Sequence, residues 1–405
     1  MAEKIIQLTH PNKSIHLNVP LTASKSECNR ALIIQALAAD SIELSNISDA
    51  RDSQTMLRLL ESKDMELNVL DAGTTMRFLT AYCTATNRES ILTGTARMQE
   101  RPIKILVEAL KSIGAEIDYL KKSGYPPIKI NSFSQGKAEV EMAGNVSSQY
   151  ISAMLMIAPT LPMGLKLCLT GEVFSKPYIL MTLKLMQHFG IEYKWLDNII
   201  EILPQSYKKN GYTIESDWSG ASYWYSIAAL SEKANIKLLG LRKDSFQGDN
   251  AIVEIMDQLG VASIFDDGGV LLEKKAHNSS FDYNFSECPD LAQTIAVVCA
   301  AKGINARLSG LESLRIKETD RIAALQKELA KTGVEVIVEG NHAIEISGMA
   351  TINHTTFDTY EDHRMAMAFA PLSLIGTINI NDPEVVNKSY PNYWEHLKQA
   401  GFSIK

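Results

Sequence analysis

Cysteine is scarce in this chain of 405 residues. Five cysteines, Cys28, Cys83, Cys168, Cys288 and Cys299, lie scattered, with no C-x-x-C pair and no histidine at zinc-ligand spacing. Their placement argues against a disulfide scaffold and a cysteine-built metal centre, and predicts reduced thiols in a reducing compartment. A basic excess is also missing. The formal net charge of -7 counts against a nucleic-acid partner, whose footprint is a surplus of Lys and Arg. Any anion site must therefore be a local concentration of cations in an acidic protein. No apolar run is long enough to cross a bilayer, and the opening "MAEKIIQLTHPNKS" lacks a signal-peptide core. A cytoplasmic protein with no membrane contact is expected.

What is present is ordinary globular material, 45% hydrophobic and 21% charged, long enough to predict two domains. One pattern recurs along it: an amphipathic helix, a glycine, then a short β-branched run. It reads "LVEALKSIGAEIDYL", "LKLMQHFGIEYKWL", "IVEIMDQLGVASIF", "LQKELAKTGVEVIV" and "WEHLKQAGFSIK", with "MLRLLESKDMELNVL" as a weaker copy lacking the glycine. The glycines Gly114, Gly190, Gly260, Gly333 and Gly401 are separated by 76, 70, 73 and 68 residues. Glycine suits a position that needs a left-handed backbone after a helix. Spacings of roughly 70 exceed the 20 to 50 of solenoid repeats. Six such units divide naturally into two domains of three. Extra strands in "GYPPIKINS" and "GLKLCLTG" predict mixed parallel and antiparallel sheets.

Charge is concentrated in one place. "RIKETDR", Arg315 to Arg321, holds five charged side chains in seven residues, with apolar text on both sides. Other polar clusters stand where loops meet helix starts. "TASKSECNR" supplies Lys25, Ser26 and Arg30, and "DAGTTMR" supplies Gly73, Thr74, Thr75 and Arg77. "RMQERPI" carries Arg97, Glu100 and Arg101, and "GNVSSQY" carries Ser147, Ser148 and Gln149. Asp290 in "ECPDLAQ" opens an apolar helix, "YEDHRMAM" holds Asp362, His363 and Arg364, and "NKSYPNYW" holds Lys388. Each cluster alone is read equally as an anion site or as ordinary helix capping and surface pairing. Brought together, Lys25, Arg30, Arg77, Arg101, Lys317, Arg321, Arg364 and Lys388 would suit ligands bearing several negative charges.

Taken in order, the clusters resemble those of the 5-enolpyruvylshikimate-3-phosphate synthase family, from about Lys25 to the end of the chain. "SKSECNR", "DAGTTMR", "RMQERPI", "VSSQY", "SKPY", "KETDR" and "DHRMAM" carry the likeness, the last two most specifically. The resemblance implies an α/β fold of two similar domains, each of three βαβαββ units in an inside-out α/β barrel, closing as a clamp. One domain would span residues 21–214 and the other 1–20 with 215–405, crossing near Pro20–Leu21 and Ile214–Glu215. It implies transfer of the enolpyruvyl group of phosphoenolpyruvate to shikimate-3-phosphate with release of phosphate, without metal or organic cofactor, by a monomer.

Carried over by position, Lys25, Ser26, Arg30, Ser147, Ser148, Gln149, Ser175, Tyr178, Asp290, Ser313 and Lys317 would hold shikimate-3-phosphate. Lys25, Gly73, Arg101, Gln149, Arg321, Arg364 and Lys388 would hold phosphoenolpyruvate. Asp290 and Glu318 would move protons, assisted by Lys25 and His363. Arg315 and Asp320 would be structural.

The chain also departs from the family pattern. "PLTASKS" lacks the usual Pro-Gly, and Ser313 stands where asparagine is common. Asp71 replaces an asparagine near the expected phosphoenolpyruvate position and should weaken anion binding unless protonated or paired. Phe78 replaces a frequent proline. Asp71 and Phe78 leave open the sensitivity to glyphosate, which targets the family. UDP-N-acetylglucosamine enolpyruvyl transferase shares the fold, but none of the five cysteines falls in the "RMQERPI" loop where its reactive cysteine would lie. A non-catalytic binder of phosphorylated metabolites is the remaining alternative.

Overall fold

The computed structural model describes residues 4–405, the side chain of Ile316 excepted. The chain forms two compact units, one of residues up to Ser24 with Glu215–Lys405, the other Lys25–Ile214. The first division comes after Ser24, a few residues beyond Pro20–Leu21, for a hydrogen-bonding reason. Ser24 N donates to Glu215 O (2.8 Å) and Asp217 N to Thr22 O (2.9 Å), while Ala23 and Ser216 form an antiparallel bridge. Residues 21–24 are thereby held to the segment that resumes at Glu215.

Five four-stranded sheets share one pattern. In the unit 25–214, Glu66–Asn68 pairs parallel with Ser90–Thr93, which pairs antiparallel with Ile128–Phe133, which pairs antiparallel with Ala115–Tyr119. The order parallel, antiparallel, antiparallel repeats in the sheet built from Glu139–Ala143, Leu165–Thr170, Ile199–Ile202 and Lys194–Leu196. In the other unit it recurs in Ser14–Pro20, Lys233–Leu239, Gly269–Lys274 and Val261–Asp266. It returns in Ser280–Asn284, Asn305–Ser309, Ala343–Ser347 and Glu335–Glu339. The fifth case joins Thr355–Phe357, Ile378–Asn381, Ile5–Thr9 and Ser403–Ile404, so the chain's first strand sits between its last two. The sixth sheet is only the parallel pair Leu44–Ser45 and Tyr212–Thr213. There the helix Arg51–Glu61 leads straight into Glu66–Asn68, which opens the next sheet.

In four of the sheets a single buried α-helix makes the crossover between the parallel strands. These helices, with Lys25–Leu37 and Trp218–Leu230, form the centre of each unit. In one, Trp218–Leu230 buries every residue but Ser219, Ala292–Lys302 every residue but Lys302, and His363–Phe369 all of its residues. These three touch pairwise, as do Lys25–Leu37, Gly73–Ala85 and Ser148–Ile157 in the other. Most of their residues are buried whichever side they face, as befits a helix enclosed by sheets and other helices. The second helix of a repeat is one-sided. Ile252–Leu259 buries Ile252, Ile255, Met256 and Leu259, a single stripe of an amphipathic helix. No helix among the described residues is long and apolar enough to cross a membrane.

The five repeat glycines all have left-handed φ: Gly114 (118°), Gly190 (82°), Gly260 (103°), Gly333 (82°) and Gly401 (95°). Gly114 is the tightest case, because a Cβ there would stand 2.0 Å from Ser134 O. Gly114→Ala should lower unfolding free energy by more than about 1 kcal/mol, combining strain at positive φ with that clash. A fall in the urea midpoint with unchanged slope would register it.

Candidate functional site

In the unit ending at Lys405, polar residues gather at the N-terminal ends of the three buried helices. Asp320 starts the helix Arg321–Ala330, its Oδ1 accepting from Ile322 N and Ala323 N, both at 3.1 Å. Arg315 Nη1 donates to the other oxygen of Asp320 at 3.1 Å. That pairing gives Arg315 and Asp320 structural work and directs Arg321 inward.

The Arg321 side chain is only 2% exposed and meets three carboxylates. Nε donates to Asp362 Oδ2 (2.7 Å), Nη1 to Asp290 Oδ1 (2.8 Å) and Nη2 to Glu318 Oε2 (2.9 Å). Burial alone would disfavour the cation, but Asp362, Glu318 and Asp290 outweigh it and raise the guanidinium pKa.

Arg364 stands beside it. Nη2 donates to Asp290 Oδ2 (2.9 Å) and Ser219 Oγ (3.3 Å), and Nη1 to Tyr223 OH (3.3 Å). Lys317 Nζ lies 3.7 Å from Asp290 Oδ1, and Lys388 Nζ lies 3.5 Å from Glu318 Oε1. Burial pushes the Asp290 carboxyl up, yet Arg364, Lys317 and Arg321 prevail and hold it far below the usual carboxylate range. Asp249, which accepts from Ser219 Oγ, moves the other way. Burial and the neighbouring Asp290 push it up to about 6.

Asp362 caps the helix His363–Phe369 by accepting from Arg364 N at 2.8 Å. His363 is buried beside it, with Nδ1 3.6 Å from Asp362 Oδ1. Ser313 lies partly buried in the turn Glu312–Ile316, immediately before this cluster.

A second group forms in the unit 25–214, again at helix starts. Lys25 Nζ is 3.3 Å from Asp52 Oδ2, with both side chains largely buried. Ser147 caps Ser148–Ile157 by accepting from Gln149 N, and Gln149 Nε2 donates to Thr74 Oγ1 at 3.0 Å. Ser175 takes a left-handed φ of 53° before the helix Lys176–His188, which carries Tyr178. The Arg101 guanidinium lies against Gly73, and a Cβ built on that glycine would sit 2.5 Å from Arg101 Nη1.

Two arginines expected among the anion-facing cations, Arg30 and Arg77, are buried and hydrogen-bonded within their unit. Arg30 donates to Thr182 Oγ1 (2.7 Å), Ser26 O (2.9 Å), Ser152 Oγ (3.1 Å) and Tyr178 O (3.4 Å). Its guanidinium is 5.4 Å from the centre of the Phe78 ring, and burial pushes its pKa down to about 10. Arg77 donates to Gly73 O (3.1 Å) and Pro102 O (2.8 Å) beneath the surface. Both guanidiniums donate to carbonyl oxygens around them, and Arg30 to hydroxyl oxygens as well. Among the described residues no group of three or more His, Cys, Asp or Glu could hold a metal ion.

Residues 58–397 match the family model described as EPSP synthase (3-phosphoshikimate 1-carboxyvinyltransferase). The 3-phosphoshikimate 1-carboxyvinyltransferase of Bacteroides fragilis (strain YCH46) is 48% identical over 96% of this chain and 97% of its own. The chain belongs to the EPSP synthase family. The enzyme of that name from Photobacterium profundum is 36% identical over 96% of this chain and 97% of its own. An EPSP synthase structure from Acinetobacter baumannii superposes with a TM-score of 0.80 at 20% identity, covering 100% of both chains. That likeness concerns the fold.

Within this EPSP synthase family member, two departures find local explanations. Phe78 is the ring that packs against Arg30. Asp71 is paired, with Arg51 Nη2 at 3.0 Å from both of its oxygens. Sequence reading missed Arg51, Asp52, Asp249, Ser219 and Tyr223, none of which stands in a dense charged run with its partner. Asp362→Asn should cost about 2–3 kcal/mol in unfolding free energy, because buried Arg321 loses hydrogen bonds to a charged acceptor. Chemical denaturation with circular dichroism would measure it.

Proposed function

We propose that this protein transfers the enolpyruvyl group of phosphoenolpyruvate to the 5-hydroxyl of shikimate-3-phosphate, releasing inorganic phosphate. This is the shikimate-pathway step of a 3-phosphoshikimate 1-carboxyvinyltransferase in aromatic amino-acid biosynthesis. The observation that carries the reading is Arg321 held among Asp290, Glu318 and Asp362, with Arg364, Lys317 and Lys388 beside it. The carboxylates pair the buried cations, and they also supply the acid and base groups that proton transfer requires.

In this reading, Lys25, Ser26, Ser147, Ser148, Gln149, Ser175 and Tyr178 contact shikimate-3-phosphate, and Arg30 shapes their setting from beneath. On the other unit Asp290, Ser313 and Lys317 serve the same ligand. Arg321, Arg364 and Lys388 take the phosphate and carboxylate of phosphoenolpyruvate, as do Lys25, Arg101, Gln149 and the backbone at Gly73.

The reaction adds a proton to the methylene carbon while the 5-hydroxyl oxygen bonds to C2. It then removes a proton from the new methyl group as the carbon–oxygen bond to phosphate breaks. Glu318, between Arg321 and Lys388, carries the proton to and from carbon. Asp290, ionised before substrate binds, orients the hydroxyl and accepts its proton as the oxygen bonds to C2. Its surrounding cations make it a weak base until anionic ligands occupy Arg364 and Lys317, which returns basicity to it. The same cations stabilise the departing phosphate. His363 supports Asp362 from its buried position. We further infer a monomer in the cytoplasm, consistent with five unpaired cysteines and no membrane-spanning helix among the described residues.

Purified protein should release phosphate from phosphoenolpyruvate only when shikimate-3-phosphate is present. Release with UDP-N-acetylglucosamine instead would move the acceptor assignment, and binding without release would leave a metabolite-binding protein. Glu318→Gln should lower turnover by at least about a hundredfold, the scale of general acid–base catalysis, while ligand binding persists in calorimetry. Gly73→Ala must displace the Arg101 guanidinium. It should raise the KM for phosphoenolpyruvate with stability changed by less than about 0.5 kcal/mol, since a flexible side-chain end absorbs the clash.

A further inference from the structure

Asp71 is the feature that family membership explains least. It places a carboxylate two residues before Gly73, where the helix Gly73–Ala85 begins and Arg101 lies against the backbone. The helix has no side-chain cap from Ala72. A carboxylate at this point has two local targets, the first amides of the helix and the Arg101 guanidinium. Both are groups that the proposed function gives to phosphoenolpyruvate. Arg51, the first residue of the helix Arg51–Glu61, sets one nitrogen 3.0 Å from each Asp71 oxygen. Arg51 comes from a different helix and so can hold the carboxylate without using any group of the helix start.

We propose that Arg51 is a positioning residue for phosphoenolpyruvate. It binds Asp71, cancels the added charge and keeps Arg101 available to the anion. The inference rests on the reading of Arg101 and Gly73 as phosphoenolpyruvate contacts. It makes Arg51 and Asp71 one functional unit, in which loss of the cation is harmful only while the carboxylate remains. The pair is partly exposed, with side chains 47% and 29% accessible, so its role in stability is small. Its role is electrostatic selection at an anion site.

The test is a double-mutant cycle on the full chain, read by steady-state phosphate release in the active enzyme and by calorimetric binding of phosphoenolpyruvate with shikimate-3-phosphate in a Glu318→Gln background, where turnover does not mask binding. Arg51→Ala should raise the KM and the Kd for phosphoenolpyruvate about three- to tenfold, the size of one uncancelled charge at the edge of a solvated site. Turnover at saturation and the KM for shikimate-3-phosphate should stay within about twofold. Asp71→Asn should restore Arg51→Ala to near wild-type affinity, and Arg51→Lys should fall between. Raising salt from about 20 to about 300 mM should shrink the defect, which a packing role would not do.

Equal affinities in wild type and Arg51→Ala would overturn the proposal, as would failure of Asp71→Asn to rescue. A wild-type enzyme that releases no phosphate but binds phosphoenolpyruvate would overturn the catalytic reading alone. In that case the calorimetric cycle would still decide the role of Arg51.

Discussion

Three buried helices at the centre of each unit impose the constraint from which the rest follows. A helix enclosed on every side satisfies its interior backbone but leaves its first amides without partners. Those ends therefore call for capping side chains, and Ser147, Asp217 and Asp362 supply them for three of these helices. Within each unit the N-terminal ends meet, as Arg364 does with Ser219 and Asp290 in one and Gln149 with Thr74 in the other. Polar chemistry is thus concentrated by topology before any catalytic requirement acts.

The cluster around Arg321 shows how such a meeting point tolerates charge. Four cations, Lys317, Arg321, Arg364 and Lys388, are matched against Asp290, Glu318 and Asp362 in continuous contact. A buried cation without a partner would be costly, so the carboxylates stabilise the arrangement when no substrate is bound. Under the proposed function, incoming phosphate and carboxylate groups would exchange for these partners and would not meet bare guanidinium. The same exchange would alter the basicity of the carboxylates and so link occupancy to proton transfer.

Much of this was legible in the sequence because it rests on local rules. Glycine follows five helices because those positions demand positive φ, and even spacing exposed the repeat. The clusters holding Lys25, Gly73, Ser148, Asp290 and Arg364 stood out because a polar group directly precedes an apolar helix. What escaped was tertiary. Asp249 reaches Ser219 from a separate turn, and Arg51 reaches Asp71 across two helices, with no local pattern linking either pair. Arg30 and Arg77 show the same limit of a local reading. An arginine near a helix start reads the same whether it turns towards a ligand or into the core, and only neighbours such as Thr182, Phe78 and Pro102 decide between the two. The weak sixth copy needs no glycine because its helix, Arg51–Glu61, ends at Ser62 in extended backbone (φ -64°, ψ 143°), not left-handed.

The strand Ile5–Thr9 lies between Ile378–Asn381 and Ser403–Ile404, pairing the beginning of the chain with its end. During synthesis this strand emerges more than 350 residues before either of its partners and must wait for both. The segment Lys25–Ile214, by contrast, contains every strand its own sheets need, so it can finish folding while translation continues. The unit that carries Arg321 is the slower to complete, since its closing sheet spans nearly the whole chain in sequence separation. Asp290, Glu318 and Arg364 therefore acquire their final support at the end of synthesis, and a chain that stops short of Ser403 lacks a strand of the sheet that closes their unit.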